Sequence, residues 1–134
     1  MSLKNSVTTS DYLNFDSTLN KSMKIIKTDK NYKIGFLVVF GINTGLRISD
    51  IMKLKHEDLK NDSISLMESK TNKKRIIKLN DNIKKAYSIL QERNPNFEGF
   101  VFTSNQNTVF CTQYVNRKLK SIYGTKNLNI AHIL

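Results

Sequence analysis

The chain has 134 residues, one Cys and one Pro, and its 22 Lys and Arg against 11 Asp and Glu give a formal charge of +11. That length fits one domain with a hydrophobic core of its own. The single thiol, Cys111, rules out an internal disulfide and a cysteine-based zinc cluster, and fits a reducing, intracellular setting better than secretion.

The most apolar run, Ile34 to Ile42, contains two glycines and is only nine residues long, against about 20 for a helix that crosses a bilayer. No membrane partner is expected. Charge of one sign at this density favours a polyanion, and nucleic acid is the commonest. The competing reading is of lysines that merely solvate the surface of a basic globular protein.

Residues 1–15 are polar without a hydrophobic period and read as a lead-in or linker, with no signal-peptide pattern. A helix is expected to begin at Asp16 or Ser17, because Leu19, Met23 and Ile26 recur at helical spacing. Asp29 is the expected N-cap of a second helix through Ile34, Leu37, Val38 and Phe40. The string GFLVVFGI also fits a buried strand, and periodicity does not separate the two. Gly41 and Gly45 are expected to bracket a tight bend, with Gly45 in the left-handed conformation that ends a helix. Ser49 then caps a short helix carrying Asp50 in its first turn, which leaves Arg47 in the connection between two helices.

After Asp58 the period turns to alternation. Ile64 and Leu66 mark one strand, residues 75–79 a second, and the lysine-rich stretch between them a basic-tipped hairpin over 62–79. Asn80 or Asp81 caps the clearest helix, with Ile83, Ala86, Tyr87 and Leu90 on its inner face and Asn94 and Pro95 at its end. Short extended pieces are expected at 99–102 and 108–110. Thr112 caps a helix with Val115, Leu119 and Ile122 inward and Arg117, Lys118 and Lys120 outward, stopped by Gly124; a last element begins near Asn129. The fold class is therefore mainly α with a small antiparallel β-hairpin or three-stranded sheet.

Chemistry concentrates in two places. An arginine in a helix–helix bend, between Thr44 and Asp50, presents a planar fork matched to two oxygens of one phosphate. Its structural alternative is a simple pairing of Arg47 with Asp50. Lys70, Lys73, Lys74 and Arg75 cluster on the hairpin turn, where they can follow a DNA backbone, although basic surface turns are ordinary. His56 reads as a surface or packing residue, and His132 taken alone as incidental. Two separated histidines make no metal site, no phosphate-binding loop or dinucleotide fingerprint is present, and Ser49 lacks a nucleophile elbow.

The order of these features resembles the tyrosine recombinases, the phage integrase family. TGLRISDIMKLKHEDL at 44–59, followed by KTNKKRIIKL at 70–79 on a hairpin, is similar to the first part of that family's catalytic domain. The resemblance runs from about residue 16 to the end and is loose at its start and over 95–125. It implies a domain over 16–134 that corresponds to a partial recombinase catalytic domain, acting on double-stranded DNA without metal or other cofactor. Family members cleave DNA through a tyrosine that becomes joined to a 3′-phosphate.

Carried over by motif position, Arg47 is the first of two arginines holding the scissile phosphate, and Asp50 supports its loop. Lys70 is the hairpin lysine that protonates the leaving oxygen. His132 opens the His-x-x-Arg motif, whose arginine would come after Leu134. Thr44, Lys73, Lys74, Arg75, Arg117 and Lys118 are the expected further DNA contacts. The second arginine and the nucleophilic tyrosine have no counterpart in these residues, so the chain is expected to bind DNA without cutting it, as a truncated piece of a recombinase. The parent would serve DNA integration or recombination in a bacterium or a phage or other mobile element, in the cytoplasm. Loss of the last helices predicts exposed apolar surface and self-association. The alternative function is a non-catalytic DNA-binding regulator that uses TGLRISDIMKLK as a compact helix-turn-helix.

Overall fold

The computed structural model describes residues 14–68, 70–94 and 98–125. His132, the element expected near Asn129, Pro95 and most of the lead-in lie outside the described residues.

Helix α1, Phe15–Thr28, starts slightly earlier than expected because Asn14 takes the capping role, accepting the Ser17 N–H at 2.9 Å. Asp16 stands in its first turn, at the positive end of the helix dipole. Asp29 ends α1 rather than capping the next helix; its carboxylate accepts the Asn31 N–H at 2.8 Å and turns the chain. Helix α2, Tyr32–Thr44, settles the ambiguity of GFLVVFGI in favour of helix. Every residue from Ile34 to Ile42 is buried, as in a helix apolar on all sides that runs through a core. Gly41 therefore sits inside α2 and does not bracket the bend.

Gly45 ends α2 at φ 73°, its N–H on the Gly41 carbonyl at 2.8 Å, a left-handed backbone that glycine adopts at least cost. Helix α3, Ile48–Ile51, is a single turn that begins from Arg47 rather than Ser49: the Arg47 carbonyl accepts the N–H groups of Asp50 and Ile51, both at 3.0 Å. A short 3-10 helix, His56–Lys60, leads into β1, Ser63–Met67, and β2, Lys74–Lys78. The strands pair antiparallel, with Ser63 opposite Lys78 and Met67 opposite Lys74. Among the described residues the sheet has two strands. The extended pieces expected at 99–102 and 108–110 form only single bridges, Lys55 with Phe100 and Thr103 with Val109.

Helix α4, Asp81–Arg93, is capped by Asn80, which accepts the Ile83 N–H at 3.0 Å. Helix α5, Thr112–Tyr123, takes Cys111 as its cap position without a side-chain bond, so Thr112 is its first residue and not its cap. Gly124 stops it at φ 80°.

Helices α1, α4 and α5 surround α2. At the centre, Phe36 contacts Tyr87 and Phe102, each with ring centroids 5.8 Å apart; burial of a side chain this size is worth about 1.5–3 kcal/mol. Arg93 clamps α4 to α1 by donating to the carbonyls of Ile26 and Asp29 at 2.9 and 3.1 Å while its guanidinium covers the Tyr32 ring. The helices pack into one block, with the 44–47 bend at the end of α2 and the hairpin before α4. No helix among the described residues is long and apolar enough to cross a membrane.

Candidate nucleic-acid interface

The bend is held from both sides. Leu46 is buried before it and Ile51 after it, so the intervening Arg47 has little freedom in its backbone. Its side chain is exposed, and among the described residues it has no hydrogen-bond or ion-pair partner. The simple Arg47–Asp50 pairing is not what forms. Asp50 is buried at 1% exposure with its Oδ1 3.4 Å from the Lys53 ammonium, one turn along.

The hairpin reaches the bend through Arg75. This half-buried guanidinium donates from Nη2 to the Thr44 carbonyl at 2.9 Å, and its Nη1 lies 3.6 Å from Glu68 Oε2. The Thr44 hydroxyl is also engaged internally, donating to the Phe40 carbonyl at 2.8 Å and accepting the Leu46 N–H at 3.2 Å. Two residues expected to touch DNA thus face each other. They join the strand that follows Lys70 to the residue that precedes the bend.

At the hairpin turn the Glu68 N–H meets the Lys73 carbonyl at 2.9 Å, the Asn72 N–H meets the Glu68 carbonyl at 2.8 Å, and Asn72 takes the left-handed φ of 57°. Lys70, Lys73 and Lys74 are exposed there. A third strut escaped the sequence reading. Asn43 Oδ1 accepts from the side-chain amides of Asn80 and Asn82 at 2.8 and 3.1 Å, and its own amide donates to the Val39 carbonyl at 2.7 Å. The end of α2 is thereby fastened to the start of α4, directly after the hairpin. The capping asparagine at position 80 was visible in the sequence, but its second bond was not.

Arg117 and Lys118 stand elsewhere. Both lie over the Tyr114 ring, 5.7 Å from its centroid. Lys118 also lines a cavity with residues 30–34, at the opposite end of α2. Thirteen residues of helix at 1.5 Å each place that end about 20 Å from the bend.

The histidine and tyrosines of the described region serve packing. His56 is buried with Nδ1 2.8 Å from the Tyr87 hydroxyl, and burial, helped by the charges of Lys33 and Lys60, holds its pKa below the ordinary value. Burial pushes Tyr123 up to about 12, against a smaller opposing effect of its 2.7 Å hydrogen bond with Ser22. Among the described residues no group of three His, Cys, Asp or Glu side chains gathers that could hold a metal.

The sequence profile of the phage integrase family matches residues 15–133. A "Probable integrase/recombinase YoeC" of Bacillus subtilis (strain 168) is 47% identical over 57 residues, which is 42% of this chain and 32% of that protein. The fold is similar to that of XerA recombinase, with TM-score 0.59 and 23% identity over 87% of this chain and 42% of that one. It is also similar to a lambda integrase tetramer bound to a Holliday junction, with TM-score 0.63 and 17% identity over 89% of this chain and 36% of that one. A third likeness is to the Tn1549 transposon integrase in complex with transposon right end DNA, with TM-score 0.56 and 20% identity over 82% and 45%. The chain spans less than half the length of each of these relatives. With the family profile covering nearly all of the sequence, the chain belongs to the phage integrase family.

Proposed function

We propose that the chain is the phosphate-gripping portion of a site-specific recombinase catalytic domain, with Arg47 and Lys70 acting on one phosphodiester of double-stranded DNA. The observation that carries this reading is the Arg75–Thr44 bond at 2.9 Å. It couples the lysine-tipped hairpin to the bend bearing the exposed Arg47, which supports a grip shared by these two cations.

The chemistry suits them. A phosphorus centre under attack gathers negative charge on its non-bridging oxygens, and a guanidinium already fixed in place stabilises that charge without the reorganisation water requires. Arginine offers two parallel donors to those oxygens. Lys70 lies on a mobile-length side chain beside the same linkage and supplies the proton that the departing oxygen needs. Asp50, buried beneath the bend, fixes α3 against the core. Lys73 and Lys74 extend the grip along the backbone, and His132 completes the group in this reading. Thr44 and Arg75 serve as positioning residues. Strand exchange is proposed for the whole recombinase, a cytoplasmic protein of bacterial, phage or other mobile-element origin. Self-association through exposed apolar surface is a further part of this reading, and sedimentation across protein concentration tests it.

The helix-turn-helix alternative loses support because α3 is four residues long, with Asp50 and Ile51 buried, too short to lie in a major groove and present several side chains to base edges.

Duplex titrations over a range of salt test the reading. Each phosphate contact contributes about −0.9 to the slope of log K against log salt. Arg47→Ala and Lys70→Ala should each make the slope shallower by about that amount. A slope near zero for the unaltered chain, or one that neither substitution changes, refutes the proposed grip.

A further inference from the structure

We propose that the cavity between the starts of α2 and α5 is a second anion site, which takes the phosphate group of a nucleotide. The cavity has a volume of about 530 Å³, within the range of small-molecule sites. Among the described residues three ammonium groups line it, those of Lys30, Lys33 and Lys118, and no Asp or Glu does. A cleft with cations of one sign and low-dielectric walls concentrates positive potential.

The backbone adds to that potential. Asn31 and Cys111, the cap positions of α2 and α5, both line the cavity, and neither makes a side-chain capping bond. Neither helix carries an acidic residue in its first turn. By contrast, α1 and α4 are each capped by an asparagine and followed by Asp16 or Asp81. The positive end of α5 is therefore left for an external partner, while at the start of α2 the Asp29 carboxylate already accepts the Asn31 N–H at 2.8 Å.

Lys33 is the fixed member of the three ammoniums. Its Nζ donates to the Thr103 carbonyl and hydroxyl at 2.8 and 3.1 Å, which leaves one of its three N–H bonds for a ligand. Burial holds its pKa below the usual lysine value, so an anion at this point would restore favour to the charged form. Val109 and Phe110, on the cavity's other wall, offer apolar surface to the organic part of the ligand. The site lies about 20 Å along α2 from Arg47, too far for one phosphate to reach both, and the inference does not depend on the function proposed for the bend. The phosphate has two conceivable sources, a free nucleotide or a nucleotide within a DNA strand.

Cys111 lines the cavity, is exposed, and is the only thiol of the chain, so its alkylation rate reports occupancy. Deoxythymidine monophosphate should slow alkylation several-fold, in the unaltered chain and equally in Arg47→Ala, while thymidine should not. Lys30→Gln and Lys118→Gln, exposed or half-exposed changes that leave the Lys33–Thr103 bonds intact, should each raise the concentration needed by about tenfold. If a short oligothymidylate protects at lower concentration than the mononucleotide, the strand is the source; the reverse order assigns the free nucleotide. No protection at about 10 mM nucleotide, equal protection by thymidine, or protection that both lysine substitutions leave unchanged overturns the proposal. Loss of the Arg47 salt effect with nucleotide protection retained would refute the function of the bend alone.

Discussion

Replacing Arg75 with methionine separates an internal tie from a DNA contact. The substitution keeps a long apolar stem and removes the guanidinium. Its bond to the Thr44 carbonyl, at 2.9 Å and half-buried, belongs to the class of charged hydrogen bonds worth about 1.5–3 kcal/mol. The pair with Glu68 is 3.6 Å long, with side chains 39% and 27% exposed, and so adds less than about 1 kcal/mol. Water reaching the freed carbonyl offsets part of the loss. The expected destabilisation is about 2 kcal/mol, read as a lower urea midpoint at unchanged slope. Duplex affinity should fall as well, because the hairpin is no longer held to the bend. The effect of Lys70→Ala on binding should be smaller in the Arg75→Met background than alone, the non-additivity expected of coupled residues. An unchanged urea midpoint, together with a salt slope shallower by about 0.9 and additive binding losses, would place Arg75 on DNA and refute the tie.

Gly35→Ala should destabilise the fold, because a Cβ there would stand 3.0 Å from both the Ser22 carbonyl oxygen and Ile25 Cγ2. Overpacking costs about 1–3 kcal/mol and alanine's better helix propensity returns about 1, for a net loss near 1 kcal/mol and a Tm lower by a few degrees; a higher Tm refutes the close approach of α1 and α2. Stability should decline as pH falls below the ordinary histidine value of 6.5, since the depressed pKa of His56 means that the unfolded chain takes up its proton first. Urea midpoints at about pH 7.5 and 5.5 measure this, and a His56→Gln variant should show a weaker decline; equal pH dependence in the two proteins refutes the assignment. Asn43→Ala leaves the amides of Asn80 and Asn82 without their shared acceptor and should cost about 1–2 kcal/mol in urea unfolding. No change would mean that water serves those amides equally well.

What the sequence made legible was what local physics dictates. Gly45 and Gly124 end their helices because a left-handed residue is needed there, and the inner face of α4 follows from a clean helical period. The alternation around Ile64 and Ile77, with a polar turn between, likewise announced the hairpin. Helix α2 was ambiguous for a physical reason: buried on all sides, it has no polar face and hence no period. The start of α3 was misplaced because its defining acceptor is the Arg47 carbonyl, a backbone group no side chain advertises. The bend and hairpin were nominated from residue type and order. That Arg75 alone of the four hairpin cations turns inward could not be foreseen, since its partner is a main-chain oxygen 31 residues away. Arg117 and Lys118 were expected among the DNA contacts, and only the packing of α5 shows Lys118 and the Tyr114 ring they both cover at the other end of α2.

The outward face of the hairpin has one more consequence. Ile76 is 71% exposed between Lys74 and Lys78, which are exposed on the same face, and each strand has one side without a pairing neighbour among the described residues. A bare ribbon with a greasy centre would recruit other chains into an extended stack, and the flanking ammoniums keep it solitary by mutual repulsion. High ionic strength or lysine acetylation would lift that guard, so precipitation under those conditions would begin at this ribbon while the helices remained folded.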